Sequence, residues 1–112
     1  MTSHITTHVL DTVLGKPAAG IALALAQHTD AGEHPVATGV TDSDGRCGDL
    51  GPQSLEPGTY RLTFDTGAYF AADNRECFYP QVTIDFVVEA GQDHYHVPIL
   101  LSPYAYSTYR GS

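Results

Sequence analysis

The chain has 112 residues, 42% hydrophobic and 16% charged, enough apolar material for one packed core and too little charge for a disordered segment. Its 13 acidic against 5 basic residues give a net charge of -8, which repels phosphate backbones and anionic headgroups, so neither nucleic acid nor membrane is an expected partner. A single domain over residues 1–112 is expected. The opening Met1-Thr2-Ser3-His4 carries no basic n-region, and no apolar run reaches the length of a membrane span, which predicts a cytoplasmic protein. Cys47 and Cys77 match no zinc spacing and are expected to be free thiols.

Period-two alternation, the pattern of half-buried strands, runs through most of the chain. A first strand from His4 to Leu10 puts His4, Thr6, His8 and Leu10 on one face. After the turn Gly15-Lys16-Pro17, Ile21, Leu23 and Leu25 alternate with Ala22, Ala24 and Ala26. Turn clusters follow at Asp30-Ala31-Gly32, Asp42-Ser43-Asp44-Gly45 and Glu56-Pro57-Gly58. In each, Gly supplies positive φ, Pro fixes φ or Asp accepts local backbone hydrogen bonds. Asp42, Asp44, Gly45 and Asp49 echo a calcium loop, but the closing bidentate Glu is missing, so a plain turn is expected. Tyr60, Leu62 and Phe64 share the next apolar face; Thr66 to Asp73 breaks the alternation and suits a turn or two of helix. Val82, Ile84, Phe86 and Val88 resume it. Beyond the turn Ala90-Gly91-Gln92-Asp93, Tyr95, Val97, Ile99 and Leu101 repeat the pattern, and a last strand is read from Tyr104 to Arg110. Many short strands separated by turns predict an all-β sandwich or barrel.

Strand parity then points to a site. If the Tyr95 set faces the core, His94, His96, Pro98 and Leu100 face outward. That face bears histidines and is too apolar for plain solvent, which suits an oligomer interface or a pocket. Were the first, penultimate and last strands neighbours, His8, His96, Ser107 and Tyr109 would surround one cavity. The closing Tyr109-Arg110-Gly111-Ser112 lacks a loose polar trailer, which predicts a docked end that helps to build the site. His94 and His96 stand two apart on one face, a spacing that permits a shared metal, but further ligands are lacking nearby; no metal and no cofactor are expected. His4, His28 and His34 are read as surface residues.

The run from His94 to Ser112, HYHVPILLSPYAYSTYRGS, resembles the C-terminal signature of the transthyretin-related 5-hydroxyisourate hydrolases. Thr7-His8-Val9-Leu10-Asp11, Gly15-Lys16-Pro17-Ala18 and Thr41-Asp42-Ser43-Asp44-Gly45-Arg46 are similar as well, so the likeness spans essentially the whole chain. It implies a transthyretin-like two-sheet sandwich of about eight strands, a short helix near Gly67 to Ala72, and a homotetramer with sites at the dimer-dimer interface. It also implies a small-molecule substrate, 5-hydroxyisourate, opened by hydrolysis in urate catabolism. Carried over position by position, the catalytic residues would be His8, Arg46, His96 and Ser112, with His8, Arg46 and Tyr109 binding substrate.

Those residue types fit the chemistry. Hydrolysis of a cyclic amide-like bond needs a proton acceptor for water, a counter-charge for the oxyanion and a donor for the departing nitrogen. Imidazoles titrate near neutral pH and serve as acid or base, while an always-charged planar guanidinium suits an anionic heterocycle. One of His8 and His96 would activate water and the other assist proton transfer. Two other readings compete: a transthyretin-like carrier of a small apolar ligand, which needs no acid-base pair, and an accessory sandwich module of a larger protein.

Overall fold

Residues 3–111, those described in the computed structural model, form nine strands and one helix. In chain order these are β1 (Ile5–Asp11), β2 (Lys16–Pro17), β3 (Ala22–Thr29), β4 (Gly32–Val40), β5 (Arg46–Cys47), β6 (Gly58–Phe64), α1 (Thr66–Ala72), β7 (Val82–Val88), β8 (Tyr95–Ser102) and β9 (Ala105–Thr108). One sheet runs β2-β1-β8-β9, with β5 also paired to β1; the other runs β4-β3-β6-β7. The two form the expected transthyretin-like sandwich. No helix among the described residues is long and apolar enough to cross a membrane.

The apolar faces read from alternation close on one another. Ile5, Val9, Ile21, Leu25, Leu62, Phe64, Val82, Ile99 and Leu101 are all at most 1% exposed, and burying each such side chain contributes on the order of 2 kcal/mol. Helix α1 is short because little beyond its caps and one packed face supports it. The Asp65 carboxylate accepts from the Ala68 amide, and Phe70 is fully buried.

Three details depart from the sequence reading. Strand β4 lacks clean alternation and carries Pro35, yet pairs along β3 with a bulge at Leu25/Ala26; as the sheet's edge it tolerates a missing donor. The last strand is shorter than read, covering only Ala105–Thr108. His4 is not a surface residue. It precedes β1, where the chain leaves strand parity, and it is 4% exposed, stacked on Tyr95 with its Nδ1 accepting the Leu55 amide at 2.8 Å. His28 and His34 are exposed as expected.

At the far end of β1, Asp11 is fully buried and gathers the helical layer to the sheet. It accepts from Arg75 at 2.5 Å, the Tyr69 hydroxyl at 2.8 Å and the amides of Val13 and Leu14. Burial pushes its pKa up, but the Arg75 guanidinium and these donors outweigh it and hold the carboxyl below its ordinary 3.8. Burial and the neighbouring Asp11 push the Tyr69 phenol up to about 12. Because the folded carboxyl is the stronger acid, its stabilisation is whole above pH 3.8 and is lost as pH falls through the lower folded value. Asp11→Ala should therefore cost about 3 kcal/mol by taking the buried acceptor from Tyr69 and from Arg75, which keeps only the exposed Asp73, and should flatten the acid limb of stability against pH. Denaturant melts of both proteins across pH 2 to 7 measure this.

Candidate active site

The site is assembled on the outer face of the sheet that contains β1 and β8. These two strands are parallel, with Thr6 opposite His96 and His8 opposite Pro98, so residues in register share a face. On the other edge of β1, His8 lies opposite Arg46 and Thr7 opposite Cys47. Arg46 owes its place to the turn before it. Asp42 Oδ1 accepts from the amides of Asp44 and Arg46, and the Asp42 amide donates to the Arg46 carbonyl. Gly45 closes that turn at φ +75, where a Cβ would stand 2.4 Å from the Val9 carbonyl oxygen; no other residue type fits there. The Asp42 carboxylate is thus occupied as a turn acceptor, and no cluster of three or more metal-ligating side chains occurs among the described residues.

Thr6, Thr7, Arg46, Cys47, Gly48, His94 and His96 line a cleft of about 380 Å³. Thr6 is 8% exposed and its hydroxyl bonds both imidazoles, His96 through Nδ1 at 2.9 Å and His94 through Nε2 at 3.0 Å. Burial lowers the His96 pKa below 6.5, and positive charge on Arg46, His8 and His94 pushes it the same way. At neutral pH His96 is therefore an uncharged imidazole with a nitrogen able to accept a proton. Of the four arginines, Arg61 is held by Glu33 and Asp85, Arg75 by Asp11 and Asp73, and Arg110 lies over the Tyr95 ring. No carboxylate among the described residues pairs with Arg46, which is exposed beside the cleft and available to an anion.

The residues singled out by sequence do not all meet in this cleft. Arg46 and His96 line it, and His8 stands beside them on the same face without lining it. Tyr109, 58% exposed, lines a neighbouring cleft of about 300 Å³ with Thr108, Arg110 and part of β7, and His96 is the wall common to both. Ser112 lies outside the described residues. The tail before it is docked: the Gly111 amide donates to the His96 carbonyl at 2.8 Å, and the Arg110 guanidinium sits 4.7 Å from the Tyr95 ring centre. Alternation placed Thr6 on the histidine face, but its link to both imidazoles depends on the β1–β8 register, which alternation does not carry. A Cβ on Gly111 would come within 2.6 Å of His96 Cδ2. Gly111→Ala should accordingly displace the His96 ring or undock the tail while sparing the core; shifted His96 ring resonances with a Tm change of a few degrees at most are the expected result.

The chain matches a family model described as the HIUase/Transthyretin family over residues 5–111. A Salmonella dublin protein named 5-hydroxyisourate hydrolase is 45% identical over 109 residues, covering 96% of this chain and 80% of that one. The solved Klebsiella pneumoniae 5-hydroxyisourate hydrolase superposes with a TM-score of 0.87 at 40% identity, covering 98% of this chain and 99% of its own. Sea bream transthyretin, solved in complex with thyroxine, gives 0.90 at 35% identity over 96% and 94%.

Proposed function

Because the chain belongs to the HIUase/Transthyretin family and its hydrolase relatives match it nearly end to end, we propose that this enzyme hydrolyses 5-hydroxyisourate to 2-oxo-4-hydroxy-4-carboxy-5-ureidoimidazoline in urate degradation. Backbone likeness does not separate hydrolase from carrier, since a hydrolase and a transthyretin superpose almost equally well. The residues do. The carrying observation is a neutral, half-buried His96 facing one cleft with the Arg46 guanidinium, which is unpaired among the described residues, an acid-base group and an anion site that a carrier of apolar ligands does not require.

In this reading His96 accepts a proton from water as the water oxygen attacks the substrate carbonyl. Arg46 binds the anionic heterocycle and offsets charge on the tetrahedral oxygen. His8, next to Arg46 in register, assists proton transfer to the departing nitrogen, and Ser112 adds its hydroxyl or carboxylate to the positioning of histidine or water. Tyr109 closes over substrate. No cofactor enters the scheme, and the domain of residues 1–112 acts in the cytoplasm, where its two free thiols are at home.

The assembly we propose is a homotetramer with sites at the dimer-dimer interface. Strands β7 and β9 are open sheet edges, and Leu100 of the site-bearing sheet and Tyr109 just beyond β9 are exposed. A second copy over that face would cover these side chains and exclude water from a cleft that is open in one chain.

Generating 5-hydroxyisourate in situ from urate with uricase and following its ultraviolet decay tests the activity. The chain should accelerate decay, and His96→Asn should reduce turnover about 100-fold or more while the tetramer survives. Decay unchanged by the wild-type protein would leave the carrier reading standing.

The pH profile carries a separate expectation. A base must be deprotonated to act, and the His96 pKa is lowered, so kcat/KM should hold as pH falls past 6.5 and decline only below it. Arg46→Gln removes one charge that opposes protonation and should move this acid limb to higher pH, alongside a raised KM.

A further inference from the structure

Thr6 holds two imidazoles with a single hydroxyl. Its Oγ1 lies 2.9 Å from His96 Nδ1 and 3.0 Å from His94 Nε2, and a hydroxyl has one proton to donate and two lone pairs with which to accept. It cannot donate to both rings. At least one imidazole must carry its proton on the nitrogen that faces Thr6, so the protonation patterns of the two rings are coupled through one oxygen. The rings differ in setting, for His96 is half-buried and His94 is exposed. Thr6 itself is 92% buried by its 8% exposure, which limits competition from water for its lone pairs.

We propose that Thr6 is the bridge of a two-histidine proton relay, in which the exposed His94 holds the positive charge that His96 acquires when it deprotonates water. At the start His96 donates Nδ1–H to Thr6, and Thr6 donates its own proton to His94 Nε2. The lone pair of His96 Nε2 takes a proton from water while the water oxygen bonds to the substrate carbonyl carbon. Two protons then move together: His96 Nδ1–H passes to Thr6 Oγ1, and the Thr6 proton passes to His94 Nε2. The charge now sits on the more solvated ring, and His96 is neutral with its proton on Nε2. As the C–N bond breaks, the shift reverses, His96 Nε2–H goes to the departing nitrogen with His8 assisting that transfer, and the initial pattern is restored.

Physical reasons favour this division of labour. A charged His96 is disfavoured by burial and by Arg46 and His8, which face it from β5 and β1, whereas His94 is outside β8 and open to solvent. Thr6 touches neither water nor substrate in this scheme; it acts through His96 and is a positioning residue.

The proposal rests on the hydrolase reading, and the tests separate the two. Wild-type activity on 5-hydroxyisourate with a dead His96→Asn variant upholds that reading whatever Thr6 does. Thr6→Val removes the hydroxyl at nearly constant shape, and Thr6→Ser restores it. Expected are a loss of about 10-fold or more in kcat with little change in KM for Thr6→Val, and recovery of most of that loss in Thr6→Ser. Rates in mixed light and heavy water should follow a curved dependence on deuterium fraction in the wild type and Thr6→Ser, and a straight one in Thr6→Val. Wild-type kcat in Thr6→Val overturns the relay, as does equal impairment of Thr6→Ser. A straight dependence in the wild-type protein overturns it too, even if Thr6→Val does not fold.

Discussion

The parallel pairing of β1 with β8 joins Thr6 to His96 across 90 positions of sequence, and loop closure over such a span is a standing entropic cost. What offsets it lies on the inner side of the same strands. Ile5, Val9, Ile99 and Leu101 are packed in the core, and the Thr7 hydroxyl donates to the Val97 carbonyl at 2.6 Å. A slip of one residue would turn those apolar groups to solvent and the histidines inward. The register that satisfies the core is therefore the register that presents Thr6, His8 and His96 on the opposite face.

The same strand is used twice. Near its start β1 supports the cleft, and at its end Asp11 anchors α1 and the following turn through Tyr69 and Arg75. Charge is distributed to match. Arginines placed away from the cleft are held by carboxylates or an aromatic ring, and Arg46 is left unpaired among the described residues. In a chain of net charge -8, that guanidinium beside the uncharged His96 makes a local anion site in an otherwise repelling field. The tail adds a further constraint, because Gly111 lies so close to His96 that only a residue without a side chain lets the backbone pass.

Much of this was legible in the sequence. Period-two alternation identified the buried sets of β3, β6 and β8, because a half-buried strand must bury every second side chain. The break at Thr66 marked the helix, and the Asp and Gly of residues 42–45 marked the turn that carries Arg46, since turn chemistry is local. Strand β4 escaped notice because an edge strand with Pro35 and exposed side chains has little alternation to display. His4 escaped because parity holds only inside a strand, and it stands one residue before β1.

By itself, then, the order of residues determined most of the long strands, with β4 the exception, and which side of each is apolar, consequences of geometry within a few residues. Strand adjacency and register were decided only by the tertiary structure. They put one hydroxyl between two rings, made Arg46 the neighbour of His8, and set Tyr109 in a cleft beside the histidine cleft with His96 as the shared wall. Such contacts depend on which distant strands share hydrogen bonds, and alternation with a period of two is the same whichever neighbour a strand acquires.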